Sequence, residues 1–221
     1  MPQAPLRADV LAVFVKVPTP GRVKTRLAQA VGGEAAAAMY AQMGRLIVAA
    51  CVVPTRYRAA VWFAPADGKE ATRSWLNRLA VDDFLGQPEG DLDLRLSTAF
   101  AHHFARGARR VVVIGSDCPD VDHALVQRAF HALAHNDLVI GPALDGGFYL
   151  LGLTSPAATL FRGVAWSTDA VCRQTQENAR GLGLSVALLP ALRDVDTIED
   201  AHLLGLLPSD TPPHQCRNHH A

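Results

Sequence analysis

RVVVIGSDCPD, Arg110 to Asp120, is the stretch on which the fold turns. Val111 to Ile114 are apolar and β-branched without alternation, as in a strand buried on both faces of a parallel sheet. Gly115 ends the run, and Asp117 stands two residues further on. A buried strand that passes directly into a carboxylate predicts the carboxyl edge of an α/β sheet, where ligands bind.

The segments around it keep the same alternation. Asp9–Val17 reads as a strand closed by Pro18, and Tyr57–Ala64 as another. Leu138–Gly141, Phe148–Leu153 and Val186–Leu189 read as shorter strands. Between them, Glu34–Val52, Lys69–Leu79, Leu92–Arg106, Asp122–Ala134, Thr168–Gly181 and Thr197–Leu206 carry helical patterns. Asp91 is a candidate N-cap for the third of these, and Thr168 or Ser167 for the fifth. Strands alternating with helices predict a three-layer α/β/α domain on a mostly parallel sheet, here one domain over residues 1–207. Residues 208–221 read as a flexible tail. Its HQCRNHH has metal-ligand residue types but no periodicity to hold them in place.

Composition narrows the partners. Of 221 residues, 49% are hydrophobic and 19% charged, an ordinary globular balance. The 21 basic residues match the 21 acidic ones, so no overall field favours nucleic acid or an anionic membrane. No apolar run is long enough for a membrane span. The four cysteines are scattered without a CxxC pair, which suits reduced thiols in a cytoplasm.

Any basic site is therefore local, and KVPTPGRVKTRLA, Lys16 to Ala28, is the place where cations cluster. It follows the first strand and holds Lys16, Arg22, Lys24 and Arg26. Gly21 permits a tight backbone, while Lys24 and Arg26 supply donors for phosphate. It is not a Walker loop: Arg22 and Val23 separate Gly21 from Lys24, and the first glycine of that pattern is missing. The competing reading is a solvated basic turn.

Three acidic segments follow other strands. Asp117 is placed to meet a magnesium ion on a diphosphate. Asp120 is either a second ligand or, with Asp122, a helix cap. Cys118 has no nearby histidine to activate it and reads as a buried thiol. Asp145 with Gly146 and Gly147 is a hairpin turn, or else a place where backbone amides and a carboxylate meet an acceptor. Asp194 and Asp196 alternate onto one side of the chain, so they share a cation or one of them caps the last helix. Trp166 lines a pocket or belongs to the core.

Taken together, FVKVPTPGRVKTRLA, GSDCPD, GPALDGGFYLLGL, WSTDAV and DVDTIEDA resemble the DUF2064 proteins, also called radical-SAM/selenodomain-associated transferase 1. These belong to the GT-A, or nucleotide-diphospho-sugar transferase, superfamily. The resemblance implies a Rossmann-like GT-A fold whose first loop, with Lys16, Pro18, Gly21, Lys24, Thr25 and Arg26, binds nucleotide phosphates. It implies Mg²⁺ (or Mn²⁺) held by Asp117 and Asp196, with Asp117, Lys24 and Asp145 serving catalysis and Asp145, Gly146, Gly147 and Trp166 meeting substrate. In place of the Asp-x-Asp of many GT-A enzymes stands Ser116-Asp117-Cys118-Pro119. The expected activity is transfer from an activated nucleotide donor to a small-molecule acceptor, a glycosyl group from a nucleotide-diphospho-sugar before a nucleotidyl group. The first loop is also similar to the Lys…Ala-Lys-Ser-Arg-Leu loop of phospholactate guanylyltransferases, which carries the nucleotidylyl alternative. A non-catalytic nucleotide-binding module is the alternative of a different class.

Overall fold

Asp9–Lys16 forms strand β1, and its side chains alternate between two cores. Leu11, Val13 and Val15 enter one, Val10 and Ala12 the other. A strand buried on both faces needs helices on both, and the computed structural model, which describes residues 8–204 and 206, has them. The other strands are β2 (Arg58–Ala64), β3 (Asp83–Gly86), β4 (Arg110–Ile114), β5 (Leu138–Pro142), β6 (Phe148–Leu153) and β7 (Val186–Leu188). Helix α1 is Thr25–Val31, α2 Gly33–Cys51, α3 Lys69–Trp75, α4 Leu92–Ala105, α5 His123–Ala132, α6 Val171–Gly181 and α7 Ile198–Leu203. α2 and α5 pack on one face of the sheet, through residues such as Ile47 and Val126. α4 and α6 cover the other through Leu96, Phe100 and Ala179.

The sheet runs β3-β2-β1-β4-β6-β5-β7. Every neighbouring pair is parallel except those made by β6, which returns through a hairpin from β5 and fills the slot beside β4. The chain winds outward from β1 to β3, then crosses back to place β4 on the other side of β1. Strand order therefore reverses between β1 and β4, and the loops after these two strands part to leave a crevice. An Asp9–Arg110 pair locks the register at the opposite end, with Nε–Oδ1 at 2.8 Å and Nη2–Oδ2 at 2.6 Å. Among the described residues no helix is long and apolar enough to cross a membrane.

Several boundaries differ from the sequence reading. The basic stretch after β1 is a loop only as far as Lys24, and Thr25–Val31 is helical because Leu27 and Val31 find a small core of their own with Ala36. β3 was not predicted: DFLG is four residues long and carries an aspartate and a glycine, too little for a β pattern. Helix α6 begins at Val171, so neither Ser167 nor Thr168 caps it. Thr168 instead donates to the Ala165 carbonyl at 2.7 Å and holds a turn. Asp91 occupies the N-cap position of α4 without a side-chain bond, whereas Asp122 caps α5 by accepting from Leu125 N–H at 2.9 Å. The tail with Cys216 and its histidines lies outside the described residues.

One buried histidine ties the second face together. Trp62 of β2 donates its indole N–H to Nε2 of His103 on α4 at 3.0 Å, which requires that nitrogen to be unprotonated. Burial, together with the neighbouring His102 and the cations Arg58 and Arg106, pushes His103 down to about 4. The unfolded chain takes up this proton near the ordinary 6.5, the folded one only near 4. This contribution to stability is thus complete above the unfolded value and is lost as pH falls from there toward 4. Urea midpoints should fall more steeply between these pH values for wild type than for His103→Gln. Identical pH profiles would show that His103 is not held neutral.

Candidate active site

The crevice is built from the carboxyl ends of β1 and β4 and the segment after β7. Lys24 opens α1 with a left-handed backbone, φ 47° and ψ 48°. For a non-glycine residue that conformation costs about 1–2 kcal/mol, so the surroundings must hold it. Its side chain is only 4% exposed, and its ammonium sits between two carboxylates. One is Asp117 Oδ1, in a close ion pair; the other is Asp196 Oδ1, at 3.1 Å. Burial disfavours the charge, but Asp117 and Asp196 outweigh it and hold the lysine above its usual range. Arg26 Nη1 lies 3.7 Å from the other oxygen of Asp196.

Backbone bonds fix this meeting. Val195 N–H donates to the Asp117 carbonyl at 2.9 Å, joining the segment after β7 to the segment after β4. The cap of α7 is Thr197, in a reciprocal capping box with Asp200, so neither Asp194 nor Asp196 is spent as a cap. Asp194 is half-buried, and burial, reinforced by Asp145 and Asp196, pushes it up to about 6. From α2, Tyr40 brings its hydroxyl to the Lys16 N–H at 2.8 Å and to Ser116 Oγ at 2.7 Å, clipping the ends of β1 and β4 together. Cys118 is buried and its thiol is driven up by burial and by Asp194 and Asp117, which supports the inert reading.

These groups form one side of a cavity of about 630 Å³, the size of a small-molecule site. Lys16, Lys24, Thr25, Arg26, Asp117 and Asp196 line that charged side. Pro18, Gly21, Asp145, Gly146 and Gly147 do not line it. A second wall comes from the segment after β3. Gln87, buried there, donates to the Val15 and Trp62 carbonyls at 3.2 and 2.8 Å and lies 3.4 Å from Arg95 Nη1. The third wall is aromatic, with Phe148 and Trp166. Tyr40, Gln87 and Arg95 were missed by sequence reasoning. Gln87 stands just after β3 and Arg95 in the first turn of α4, and nothing in the sequence set either apart.

The β5–β6 hairpin explains the Asp145-Gly146-Gly147 run. Asp145 Oδ1 accepts from Gly147 N–H at 2.8 Å and shapes the turn. Gly146 has φ 90°, and a Cβ there would lie 2.2 Å from the Asp169 carbonyl oxygen. Its own carbonyl accepts from Cys172 N–H at 2.8 Å. The glycine thus lets the segment before α6, with Trp166, lie directly on the hairpin.

Two carboxylates converging on one cation are what a divalent ion of hard-oxygen preference requires from protein, with phosphates and water as its remaining ligands. Among the described residues no group of three or more acidic, histidine or cysteine side chains forms a complete metal cage. Asp117 and Asp196, both now paired with Lys24, are the carboxylates that could serve an ion here.

Gly146→Ala combines a left-handed backbone with a backbone clash and should destabilise the fold by about 1–3 kcal/mol, read by urea denaturation. Wild-type stability in this variant would mean that the segment is not seated on the hairpin.

The family model described as an uncharacterized protein conserved in bacteria (DUF2064) matches residues 47–168. No curated protein matches the chain. A proposed nucleotide-diphospho-sugar transferase from Desulfovibrio desulfuricans G20 is similar over 90% of this chain and 87% of its own, with 36% identity and a TM-score of 0.84. Two further structures share the fold at low identity. The 4-diphosphocytidyl-2C-methyl-D-erythritol synthase from Anaerococcus prevotii has 7% identity over 89% of this chain and 96% of its own, with a TM-score of 0.56. A cytidylyltransferase from Leptospira borgpetersenii has 14% identity over 94% and 90%, with a TM-score of 0.54.

Proposed function

Because the chain belongs to the DUF2064 family, whose relative from Desulfovibrio is a proposed nucleotide-diphospho-sugar transferase, we propose that it is a transferase using an activated nucleotide donor. We place a nucleotide-diphospho-sugar first as that donor, with a glycosyl group transferred to a small-molecule acceptor. The observation that carries the reading is the Lys24 ammonium held jointly by Asp117 and Asp196 at the switch point of the sheet.

In this reading the donor's phosphates lie along Lys16, Lys24, Thr25 and Arg26. Asp117 and Asp196 hold Mg²⁺ or Mn²⁺, which when bound offsets phosphate charge and stabilises the departing group. Lys24 and Arg26 give the same phosphates charged hydrogen bonds, and the cavity fixes their position. Asp145, exposed at the hairpin rim, orients or deprotonates an acceptor hydroxyl with the oxygen not bonded to Gly147. The three cations of the charged wall also fit a triphosphate, which supports nucleotidylyl transfer as a second reading.

A thermal-shift panel of nucleoside triphosphates and nucleotide sugars, with and without Mg²⁺, separates the two. Ligands raise the apparent stability of the state they bind, and their rank order names the donor class. No shift with any nucleotide would count against both.

Two variants test the residues by calorimetry. Lys24→Met should weaken nucleotide binding by about 1.5–3 kcal/mol, the scale of a lost charged hydrogen bond. Asp117→Asn keeps the shape and removes the charge, so the Mg²⁺-dependent part of binding should disappear. An unchanged Mg²⁺ response in Asp117→Asn would place the ion elsewhere.

A further inference from the structure

The two walls that flank the charged groups differ in chemistry, and their order follows from the sheet. Across its carboxyl edge lie the segment after β3 with Gln87 and Arg95, then the ends of β1 and β4 with the charged groups. Next comes the start of β6 with Phe148 and, packed on it, Trp166. A nucleotide whose phosphates sit in the middle extends its nucleoside to one side and presents the reacting group to the other.

Trp166 is held in place by a built turn. Phe148 and Phe161 pack against its ring at 6.3 and 6.2 Å between centroids. Gln174 Oε1 accepts from Ala165 N–H at 2.7 Å, and Gly146 admits the Asp169 backbone beside the hairpin. Ser167, next to it, has φ 63° and also lines the cavity.

The tryptophans differ in how their polar edge is spent. Trp62 and Trp75 donate their indole N–H groups inside the protein, to His103 Nε2 at 3.0 Å and to the Ala41 carbonyl at 2.9 Å. Among the described residues neither the indole N–H of Trp166 nor the hydroxyl of Ser167 has a protein partner. An indole surface flanked by an N–H donor and a hydroxyl suits a ring with an apolar C–H face and hydroxyls at its rim. The wall with Gln87 and Arg95, on the other side of the charged groups, presents polar groups instead.

We infer that Phe148, Trp166 and Ser167 form a subsite for a polyhydroxylated ring, on the far side of the phosphates from the nucleoside. The inference rests on the nucleotide-donor reading. The ring belongs either to the sugar of the donor or to a sugar phosphate that acts as acceptor, and binding measurements on the full chain distinguish the sources. With Mg²⁺ present, UDP, GDP and ADP are compared with UDP-glucose, GDP-mannose and ADP-glucose, and glucose 1-phosphate is titrated with a non-hydrolysable triphosphate bound. For a donor ring, Trp166→Ala should weaken the nucleotide sugar at least tenfold and leave its diphosphate within twofold. For an acceptor ring, the same loss should fall on glucose 1-phosphate alone.

Trp166→Phe, which keeps a ring in the turn, should lose less than Trp166→Ala. Fluorine NMR of the 5-fluorotryptophan protein, with Trp166 assigned from Trp166→Phe, should show its resonance moving with the ring-bearing ligand and not with the diphosphate. Equal losses for diphosphate and nucleotide sugar would make this a base-stacking wall and overturn the inference. So would ring-ligand binding that leaves both the Trp166 resonance and the affinity of Trp166→Ala unchanged. If no nucleotide binds wild type, the transferase reading fails. The subsite is then decided by whether glucose 1-phosphate alone shifts Trp166.

Discussion

The ammonium of Lys24 is the constraint around which this site is arranged. Asp117 and Asp196 come from segments that follow different strands, and two carboxylates brought together in a half-buried crevice repel each other. One shared cation turns that repulsion into attraction toward a common point. It does so from a side chain almost wholly withdrawn from water, where the interaction is less screened than at the surface. The left-handed backbone of Lys24 and the bond from Val195 to the Asp117 carbonyl both serve this meeting. The lysine and the two acids therefore form one unit of charge.

The topology gives that unit its place. Because the chain reverses direction across the sheet between β1 and β4, the loops after these strands diverge and leave room for a ligand. The antiparallel β6 extends the same edge, since its start rather than its end lies there. Phe148 can thus face a cavity whose other walls follow parallel strands. The hairpin that makes this reversal also carries the seat for Trp166, so one local motif supplies two features of the third wall.

Much of this was legible in the chain. RVVVIG announced a buried strand because its β-branched run has no polar interruption, and Asp117 announced an edge because it follows at once. The resemblance paired Asp117 with Asp196, but nothing local in the chain marked Lys24 as the partner of both. Tyr40 was invisible: in an alanine-rich helix nothing marks one tyrosine as the clip between Lys16 and Ser116. The start of α1 was hidden for another reason. Its first turn has no acidic residue and no capping side chain, because Lys24 at the N-cap is engaged in the crevice instead. The roles of Gly146 and Trp166 depend on a contact between segments more than twenty residues apart, which local pattern does not encode.

The choice of lysine over arginine at position 24 follows from what the position must do. A guanidinium holds two oxygens in one plane through a rigid fork and suits a single, permanent partner. An ammonium is a compact charge whose three donors rotate freely, so it can serve carboxylates from two directions at once. In the proposed reaction the same group exchanges a carboxylate for a phosphate oxygen when the donor and its ion arrive. A point charge makes that exchange by small rotations of one flexible stem, without breaking a bidentate pair. Arg26, three-quarters exposed and 3.7 Å from Asp196, has the complementary task at the rim. There its fork can close on a phosphate after the buried charge has been satisfied.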